Sequence, residues 1–353
     1  MLSVCPEFAA RFKCKAGNCT DSCCVGWEIG IDEKTRELYE SSHALRALVS
    51  GKTDEADGGA IFKLLENGRC PFLNCHGLCD IISGFGEGAI PEICREHPRY
   101  YNRLSDRLEW GVGLSCEEAA RLITECPDIR CEVGAQSGGG VDGCDDDECD
   151  VELEKFLTFT RGEAYKILYE SELTLGERLA ALLYYAEGVD QAIENGTFGE
   201  FYPSMPLNLG EKLDTGWGVG NFSKILALFS DMDFMDGEFK KKFSETIKSG
   251  AKLPALNADT DAYITRIAAY FLHRYFITAL WDEAVTPKVK FAVISALSIL
   301  ALSKDTADKE EIIAVAKAYS KEMEYNEENR DAFFDACFTE KELSSKNILS
   351  VLI

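Results

Sequence analysis

Residues 12–32 read FKCKAGNCTDSCCVGWEIGID and place four cysteines within eleven positions, at Cys14, Cys19, Cys23 and Cys24. Fourteen of the fifteen cysteines in the chain precede residue 150, and only Cys337 follows it. Thiolates held this close repel one another, so folding them together is costly unless a bound cation compensates for the charge. This stretch therefore predicts that metal ligation organises the first part of the fold.

The spacing of the first stretch returns further along the chain. A Cys-x4-Cys-x3-Cys pattern occurs twice and two single cysteines follow, at Cys14, Cys19, Cys23, then Cys70, Cys75, Cys79, then Cys94 and Cys116. Zinc ribbons and fingers use C-x2-C pairs, which the sequence lacks. Iron–sulfur clusters accept longer gaps and a distant fourth ligand, so the spacing favours a cluster, with zinc as the alternative.

Three further possibilities follow from the same residues. Adjacent Cys23 and Cys24 point in different directions, so one of them could serve a second site or the core. His97 could complete either kind of site, because imidazole and thiolate both bind zinc and iron. Reduced thiols packed in a core are the structural alternative to ligation.

The composition is that of an acidic globular protein. The 353 residues carry a net charge of −24 and are 46% apolar, which is enough to build a core. An acidic surface repels phosphate and anionic headgroups, which argues against binding of nucleic acid or membranes. The start MLSVCPEFAARFKC lacks the basic and apolar regions of an export signal. We therefore expect a cytoplasmic protein, whose cysteines stay reduced and are available to a metal.

The cysteine content divides the chain into two parts. Residues 1–131 form a cysteine-rich, metal-binding part with short strands, and residues 151–353 a helical domain. Between them, residues 132–150 are rich in glycine and aspartate without an apolar period, which predicts a linker. Its acidic run at 145–148 lacks the alternating spacing of a calcium loop. The expected fold is mainly α, with a metal-binding N-terminal part followed by a helical C-terminal domain.

Local signals place several elements. Apolar residues between 261 and 280 recur at i, i+3 and i+4, which predicts a helix packed on a core, and Thr174 forms a capping box before another helix. We expect seven or eight helices after residue 150. In the first part, WEIGID at 27–32 alternates like a short strand. Ser115 is the expected N-cap of a helix whose first turn contains Cys116, where the helix dipole favours a thiolate.

Four stretches resemble, in this order, the flagellin lysine N-methylase family. They are the opening stretch at 12–32, CPFLNCHGLCDI at 70–81, GEGAIPEICREHPRY at 86–100 and GVGLSCEEAARLI at 111–123. YFLHRYFITAL at 270–280 and KVKFAVISAL at 288–297 are similar to the C-terminal half of the same family. The resemblance covers most of the chain and is most specific in the cysteine stretches.

The resemblance implies an enzyme that methylates lysine side chains of flagellin with S-adenosylmethionine and carries an iron–sulfur cluster, of the 4Fe–4S type, on its N-terminal cysteines. The cysteines that match the family's motif are Cys14, Cys19, Cys23, Cys24, Cys70, Cys79, Cys94 and Cys116. Cys75 is an addition to that pattern.

The chemistry of methyl transfer sets few demands on the sequence. A neutral lysine amine can displace the methyl group of a sulfonium directly, so radical chemistry is unnecessary, and the C-x3-C-x2-C loop of radical enzymes is absent. No Gly-x-Gly-x-x-Gly stretch marks a dinucleotide-type cofactor fold, and GWGVGNF at 216–222 is more simply a turn. The sequence leaves the catalytic and cofactor-binding residues unassigned. A non-catalytic zinc- or iron-chelating module and a redox protein are the alternative functions.

Overall fold

A computed structural model describes residues 2–56, 59–136, 150–169, 172–201, 221–303 and 308–352. The strands are β1 (Leu2–Pro6), β2 (Thr53–Ala56), β3 (Gly59–Phe62), β4 (Arg99–Arg103), β5 (Arg107–Val112) and β6 (Glu132–Gln136). The helices before residue 150 are α1 (Glu7–Ala10), α2 (Glu33–Ser41), α3 (His43–Val49), α4 (Asp80–Phe85), α5 (Glu92–Glu96) and α6 (Glu117–Glu125). The later helices are α7 (Val151–Tyr169), α8 (Leu175–Glu194), α9 (Phe222–Ala227), α10 (Gly237–Lys248), α11 (Ala258–Tyr275), α12 (Ala279–Asp282), α13 (Val285–Leu302), α14 (Lys309–Tyr319), α15 (Glu327–Thr339) and α16 (Ser345–Leu352). The fold is mainly helical with short strands in the first part, as expected.

Four of the strands form one sheet in the order β4-β5-β1-β6. β1 runs parallel to β5 and antiparallel to β6, whereas β4 and β5 form an antiparallel hairpin. The linker expected at 132–150 is wrong at its start, because residues 132–136 form β6 and satisfy the backbone groups along one edge of β1. The acidic run at 145–148 lies outside the described residues.

The strand expected at 27–32 is also wrong. Gly30 makes only an isolated bridge with Ile61, although the carbonyl of Ile29 accepts a hydrogen bond from the N–H of Phe62 at 2.9 Å. Gly26 adopts a left-handed φ of +83° just before this stretch, which turns the chain instead of extending it. Ile29 is still buried, so the apolar residue was a correct sign of core but not of a strand.

Helix α13 lies at the centre of the helical part. Almost all of its side chains are buried, and it packs against α8, α11, α14 and α15. The ring of Phe291 contacts those of Phe271 and Phe333, with centroids 5.3 and 4.8 Å away. By length and composition α13 could cross a membrane, but 89% of its apolar window is buried inside the protein, as in a core helix.

Two long helices of the second part begin at a capping side chain, as the sequence predicts for one of them. The capping box of Thr174 and Glu177 is present at α8, and the side chain of Asn257 accepts from the N–H of Thr260 at the start of α11. The stripe expected at 261–280 corresponds to α11, a 3-10 turn and α12. More helices follow residue 150 than expected, because short helices such as α9 and α12 carry no full apolar period.

The buried side chains form two separate hydrophobic cores. The large core contains side chains from helices α6 through α16, Phe8 from α1, and Tyr100 and Val112 from one side of the sheet. The small core consists of Ile29, Tyr39, Leu45, Val49, Phe62, Cys70, Phe72, Ile81, Ala89 and Ile90. Residues between 24 and 94 therefore build the small core, and residues on both sides of them build the large one.

Candidate metal centre

The first cysteine loop, residues 14–24, lies at the N-terminus of α6. Glu117, in the first turn of α6, accepts hydrogen bonds from Nζ of Lys15 at 2.5 Å and from the backbone N–H of Thr20 at 2.8 Å. Burial alone would raise the pKa of Glu117, but the bonds from Lys15 and Thr20 lower it to about 2. The charged carboxylate thus fixes the loop beside Cys116, the residue that precedes it.

The second cysteine segment packs against the end of the first. The backbone N–H of Cys70 donates to the carbonyl of Cys24 at 2.8 Å, which joins the two segments. Leu73 and Cys79 form an isolated antiparallel bridge, so the segment between Cys70 and Cys79 folds back on itself. The backbone therefore brings Cys24, Cys70 and Cys79 to the same side of the small core.

Two of the candidate ligands are helix caps. Cys79 is the N-cap of α4 and Cys116 the N-cap of α6, although the side chain of neither makes a capping hydrogen bond. The expected N-cap at Ser115 is wrong by one residue, because Cys116 has the extended cap conformation. Burial raises the pKa of both thiols, and the backbone N–H groups of the first turn oppose that rise. Burial thus outweighs the expected effect of the helix N-terminus.

The eight predicted ligands lie in two groups. Burial, followed by the neighbouring thiols of Cys116 and Cys14, raises the pKa of Cys19 to about 11. Burial, followed by three other neighbouring thiols, raises the pKa of Cys94 to about 12. We call Cys14, Cys19, Cys23 and Cys116 the α6 group, and Cys24, Cys70, Cys79 and Cys94 the small-core group.

The two groups meet at Cys23 and Cys24. The neighbouring thiol of Cys24, followed by burial, raises the pKa of Cys23, so the two sulfur atoms interact directly. The next neighbours of Cys23 are the thiols of Cys14 and Cys116, whereas Cys24 lies near those of the small-core group.

The donor chemistry of both groups suits a metal that prefers sulfur. Thiolates select zinc and iron–sulfur clusters over harder cations. Among the residues that the structure describes, however, no group of three or more His, Cys, Asp or Glu side chains has an arrangement that could hold a metal ion. The thiols must therefore turn toward a common centre before they can ligate one.

His97 faces an aromatic cluster. Its ring lies 6.1 Å from that of Trp27 and 5.9 Å from that of Tyr325, between centroids. Its Nε2 is buried and has no hydrogen-bond partner within the described ranges. Burial lowers the pKa of His97 to about 4, so the ring is neutral near pH 7. Tyr325 also donates to the carbonyl of Pro98 at 3.0 Å, so this cluster joins the cysteine-rich part to the helical part.

A buried charge lies behind this aromatic cluster. Glu324, at the end of a π-helical turn between α14 and α15, pairs with Nη1 of Arg274 at 3.0 Å and accepts a hydrogen bond from Tyr270 at 2.7 Å. The guanidinium of Arg274 also lies 4.7 Å from the ring centroids of both Tyr100 and Tyr325. Each charge is thus fully partnered, as burial requires.

Two tyrosines of this region pack directly on glycine backbone. A Cβ added at Gly111 would lie 2.3 Å from the hydroxyl of Tyr100, and one at Gly113 would lie 1.8 Å from the hydroxyl of Tyr325. The hydroxyl of Tyr100 lies 2.9 Å from Nδ1 of His273. His273 is thus buried against the sheet.

A second buried ion pair joins the sheet to the helices. Glu109 on β5 accepts two hydrogen bonds from the guanidinium of Arg161 on α7, both at 2.8 Å. Burial alone would raise the pKa of Glu109, but Arg161 lowers it to about 2. Sequence reasoning missed this pair, because Glu109 and Arg161 lie 52 positions apart and meet only in the folded protein.

Other histidines and cysteines of the first part lie outside both groups. His43, His76 and Cys75 are exposed. Cys5 and Cys126 are buried in the large core.

The comparisons with known proteins cover part of the chain. No family model and no solved structure matches the chain. Over 130 residues it is 28% identical to a lysine-N-methylase of Salmonella typhimurium and to one of Salmonella choleraesuis. The matched segment covers 35% of this chain and 32% of the length of each of these two relatives, so the chain spans about a third of their length. The chain is also 28% identical over 130 residues to the flagellar biosynthetic protein FliU of Salmonella muenchen, 77% of which is covered.

Proposed function

We propose that this protein is a protein-lysine N-methyltransferase that acts on flagellin, uses S-adenosylmethionine and carries an iron–sulfur cluster on its N-terminal cysteines. The observation that carries the proposal is the 28% identity over 130 residues to lysine-N-methylases. The likeness to a flagellar biosynthetic protein supports flagellin as the substrate. The net charge of −24 favours the approach of a lysine-bearing partner.

For methyl transfer the protein must deprotonate the lysine amine and align it with the methyl group. S-adenosylmethionine, when bound, supplies a methyl group that its sulfonium already activates. The chain must therefore hold a lysine amine in its neutral form and direct it at that carbon. Tyr270 and Glu324 are engaged with Arg274, so we assign them a structural role and leave the base to a group nearer the surface.

The metal is proposed to act as a staple for the small core. The candidate ligands are the α6 group and the small-core group. Burial raises the pKa of Cys70, Cys94 and Cys116, so these three thiols stay protonated without a cation. A bound thiophilic metal reverses that preference and links loops that burial alone holds weakly. In this role the cluster supports the fold and takes no part in the transfer of the methyl group.

The test is to incubate the anaerobically purified full-length chain with flagellin and S-adenosylmethionine, and to measure the intact mass of flagellin. We expect increments of one methyl group, and none on flagellin whose surface lysines are replaced by arginine. The Cys70→Ser variant should lose transfer, whereas the Cys75→Ser control should retain it. Unmodified flagellin with metal-replete protein would contradict the enzyme and favour a non-catalytic metal-binding module.

A further inference from the structure

We propose that the outer face of α4 is a docking surface for the protein substrate, and that it fits a segment whose apolar side chains are flanked by lysines. The apolar part of this surface consists of Leu78, Ile82 and Phe85, which we call the α4 ridge. The inference rests on the proposed function for the identity of the partner. It goes beyond that function by assigning substrate recognition to side chains that are not candidate metal ligands.

The α4 ridge is apolar and open to solvent. Ile81 points inward and is fully buried in the small core, so α4 has one inner side. Leu78, Ile82 and Phe85 are instead 41%, 40% and 42% exposed. Ile82 and Phe85 are three residues apart and share one face of the helix, and Leu78 lies just before its N-cap. Large apolar side chains that gather on a surface mark sites of interaction with other proteins.

The chain that follows α4 leaves the ridge accessible. Every residue from 82 to 88 is exposed. A Cβ added at Gly84, Gly86 or Gly88 would meet nothing within 4 Å. Gly86 ends the helix with a left-handed φ of +83° and turns the chain away. The described residues thus leave this face uncovered, and a partner can approach it without displacing a packed segment.

The charged side chains near the ridge along the chain are all acidic. Residues 70–94 contain three carboxylates, Asp80, Glu87 and Glu92, and no lysine or arginine. The ion pairs on this part of the described chain involve other carboxylates, so these three have no cationic partner there. A partner that brings lysines therefore gains attraction, which salt weakens.

Charge complementarity selects the substrate over a second copy of this chain. Two copies that met at this face would bring both sets of unpaired carboxylates together, and the net charge of −24 on each chain adds repulsion. A lysine-bearing substrate is attracted instead. The apolar ridge then supplies the desolvated centre of the contact, and the carboxylates form its polar rim.

Docking at this face is distinct from methyl transfer. A lysine that pairs with a carboxylate is held in its protonated form. The lysine that accepts the methyl group must be neutral to act as a nucleophile. The lysines that meet Asp80, Glu87 and Glu92 therefore hold the substrate, and a different lysine of the same substrate is modified.

The test is to measure the binding of flagellin to the anaerobically purified full-length chain by surface plasmon resonance, without S-adenosylmethionine. The double variant with Ile82→Ser and Phe85→Ser should bind about tenfold more weakly or worse, as expected for the loss of central apolar contacts. Glu87→Lys changes an exposed side chain outside both cores and should also weaken binding, by a factor that shrinks at high salt.

Phe159→Ser, at an exposed ring of α7, is the matched control and should bind like the wild type. Metal content and far-ultraviolet circular dichroism verify that each variant is folded. Should the double variant lose metal, Glu87→Lys alone decides the test.

The outcomes separate this inference from the proposed function. Unchanged affinity in both ridge variants, or a wild-type chain that does not bind flagellin, overturns the docking surface. A wild-type dimer in sedimentation velocity that the double variant dissociates also overturns it, because a second copy then occupies the ridge. Methylation of flagellin by the double variant with the wild-type KM upholds the proposed function and overturns this inference. Flagellin that binds through the ridge and stays unmodified upholds this inference and contradicts the methyltransferase.

Discussion

The small and the large core reach stability by different means. The large core surrounds a whole buried helix, α13, with side chains from the sheet and from α6 to α16. The small core contains ten buried apolar residues, one of which is itself a candidate ligand, Cys70. Units this small rarely persist through burial alone and commonly depend on a metal or disulfides. The comparison teaches that the four cysteines of the small-core group lie where apolar burial is smallest.

Metal removal should produce the largest difference between the small core and the large core. An iron and zinc chelator, applied under anaerobic conditions, should abolish hydrogen-exchange protection of the small core. Without the metal its thiols take up protons again and no longer hold the loops together. The amides of α8, α11 and α13 should keep their protection, since no metal holds them. Hydrogen exchange read by mass spectrometry measures both regions at once. Equal loss of protection in the two cores would show that they depend on the metal alike.

Two substitutions that each create a cavity, one in each core, compare how the cores contribute to stability. Phe291→Ala in the large core should lower the free energy of unfolding by about 3–5 kcal/mol, because both the burial and the packing of the ring are lost. Phe72→Ala in the small core removes an equally buried ring. It should release metal and leave the main denaturant transition nearly unchanged. A shift of the main transition by Phe72→Ala as large as that by Phe291→Ala would mean that the cores unfold as one unit.

The third prediction concerns the pH dependence of the large core. The pKa of Glu109 is lowered from 4.5 to about 2, so its contribution is fully present above pH 4.5 and is lost as the pH falls through 2. The shift corresponds to about 3 kcal/mol at neutral pH. Glu109→Gln should cost about that much near pH 7, and its deficit relative to wild type should shrink toward pH 2.

The measurement for Glu109 is denaturant unfolding, followed by helical circular dichroism at several pH values. Asp54→Asn, at an exposed ion pair of the small part, is the control and should show no such change. A Glu109→Gln deficit that stays constant with pH would contradict the assignment of the charge to this pair.

The smallest effect is expected at the capping box of α8. Thr174→Ala leaves a first-turn N–H without its side-chain partner and should lower the free energy of unfolding by about 1 kcal/mol. Thr174→Ser keeps the hydroxyl and should be nearly neutral. Denaturant titration of the main transition checks both variants, and metal content should be the same in each. A larger change in Thr174→Ser than in Thr174→Ala would rule out capping as the cause.

The helical part could be read well from the sequence because its signals are local. The apolar stripe of α11 and the capping box of Thr174 each lie within a few residues of chain, so they need no knowledge of distant contacts. The sheet was missed for the opposite reason. β1 pairs with strands more than a hundred residues away, and β6 was hidden by its glycine-rich continuation.

The candidate site was only partly readable. The family resemblance, and not the spacing alone, gives the eight candidate thiols, and their role as ligands stays a prediction. Which core each of them joins depends on long-range packing, which no spacing contains. Similarly, Glu109 and Arg161 lie 52 positions apart and become partners only when β5 packs on α7. The N-cap at Cys116 was missed by one residue because a thiol, and not the usual hydroxyl, occupies it.

The tyrosines that pack over Gly111 and Gly113 restrict which residues related sequences can carry at these glycine positions. One methyl group at either glycine would act as a wedge against a ring, and at Gly113 that ring is one of those joining the cysteine-rich part to the helices. Glycine and tyrosine should therefore be lost together: a relative with alanine at the position of Gly113 should carry a shorter side chain at that of Tyr325. Co-variation of these two positions across species would then show that the contact between the cysteine-rich part and the helical part is maintained.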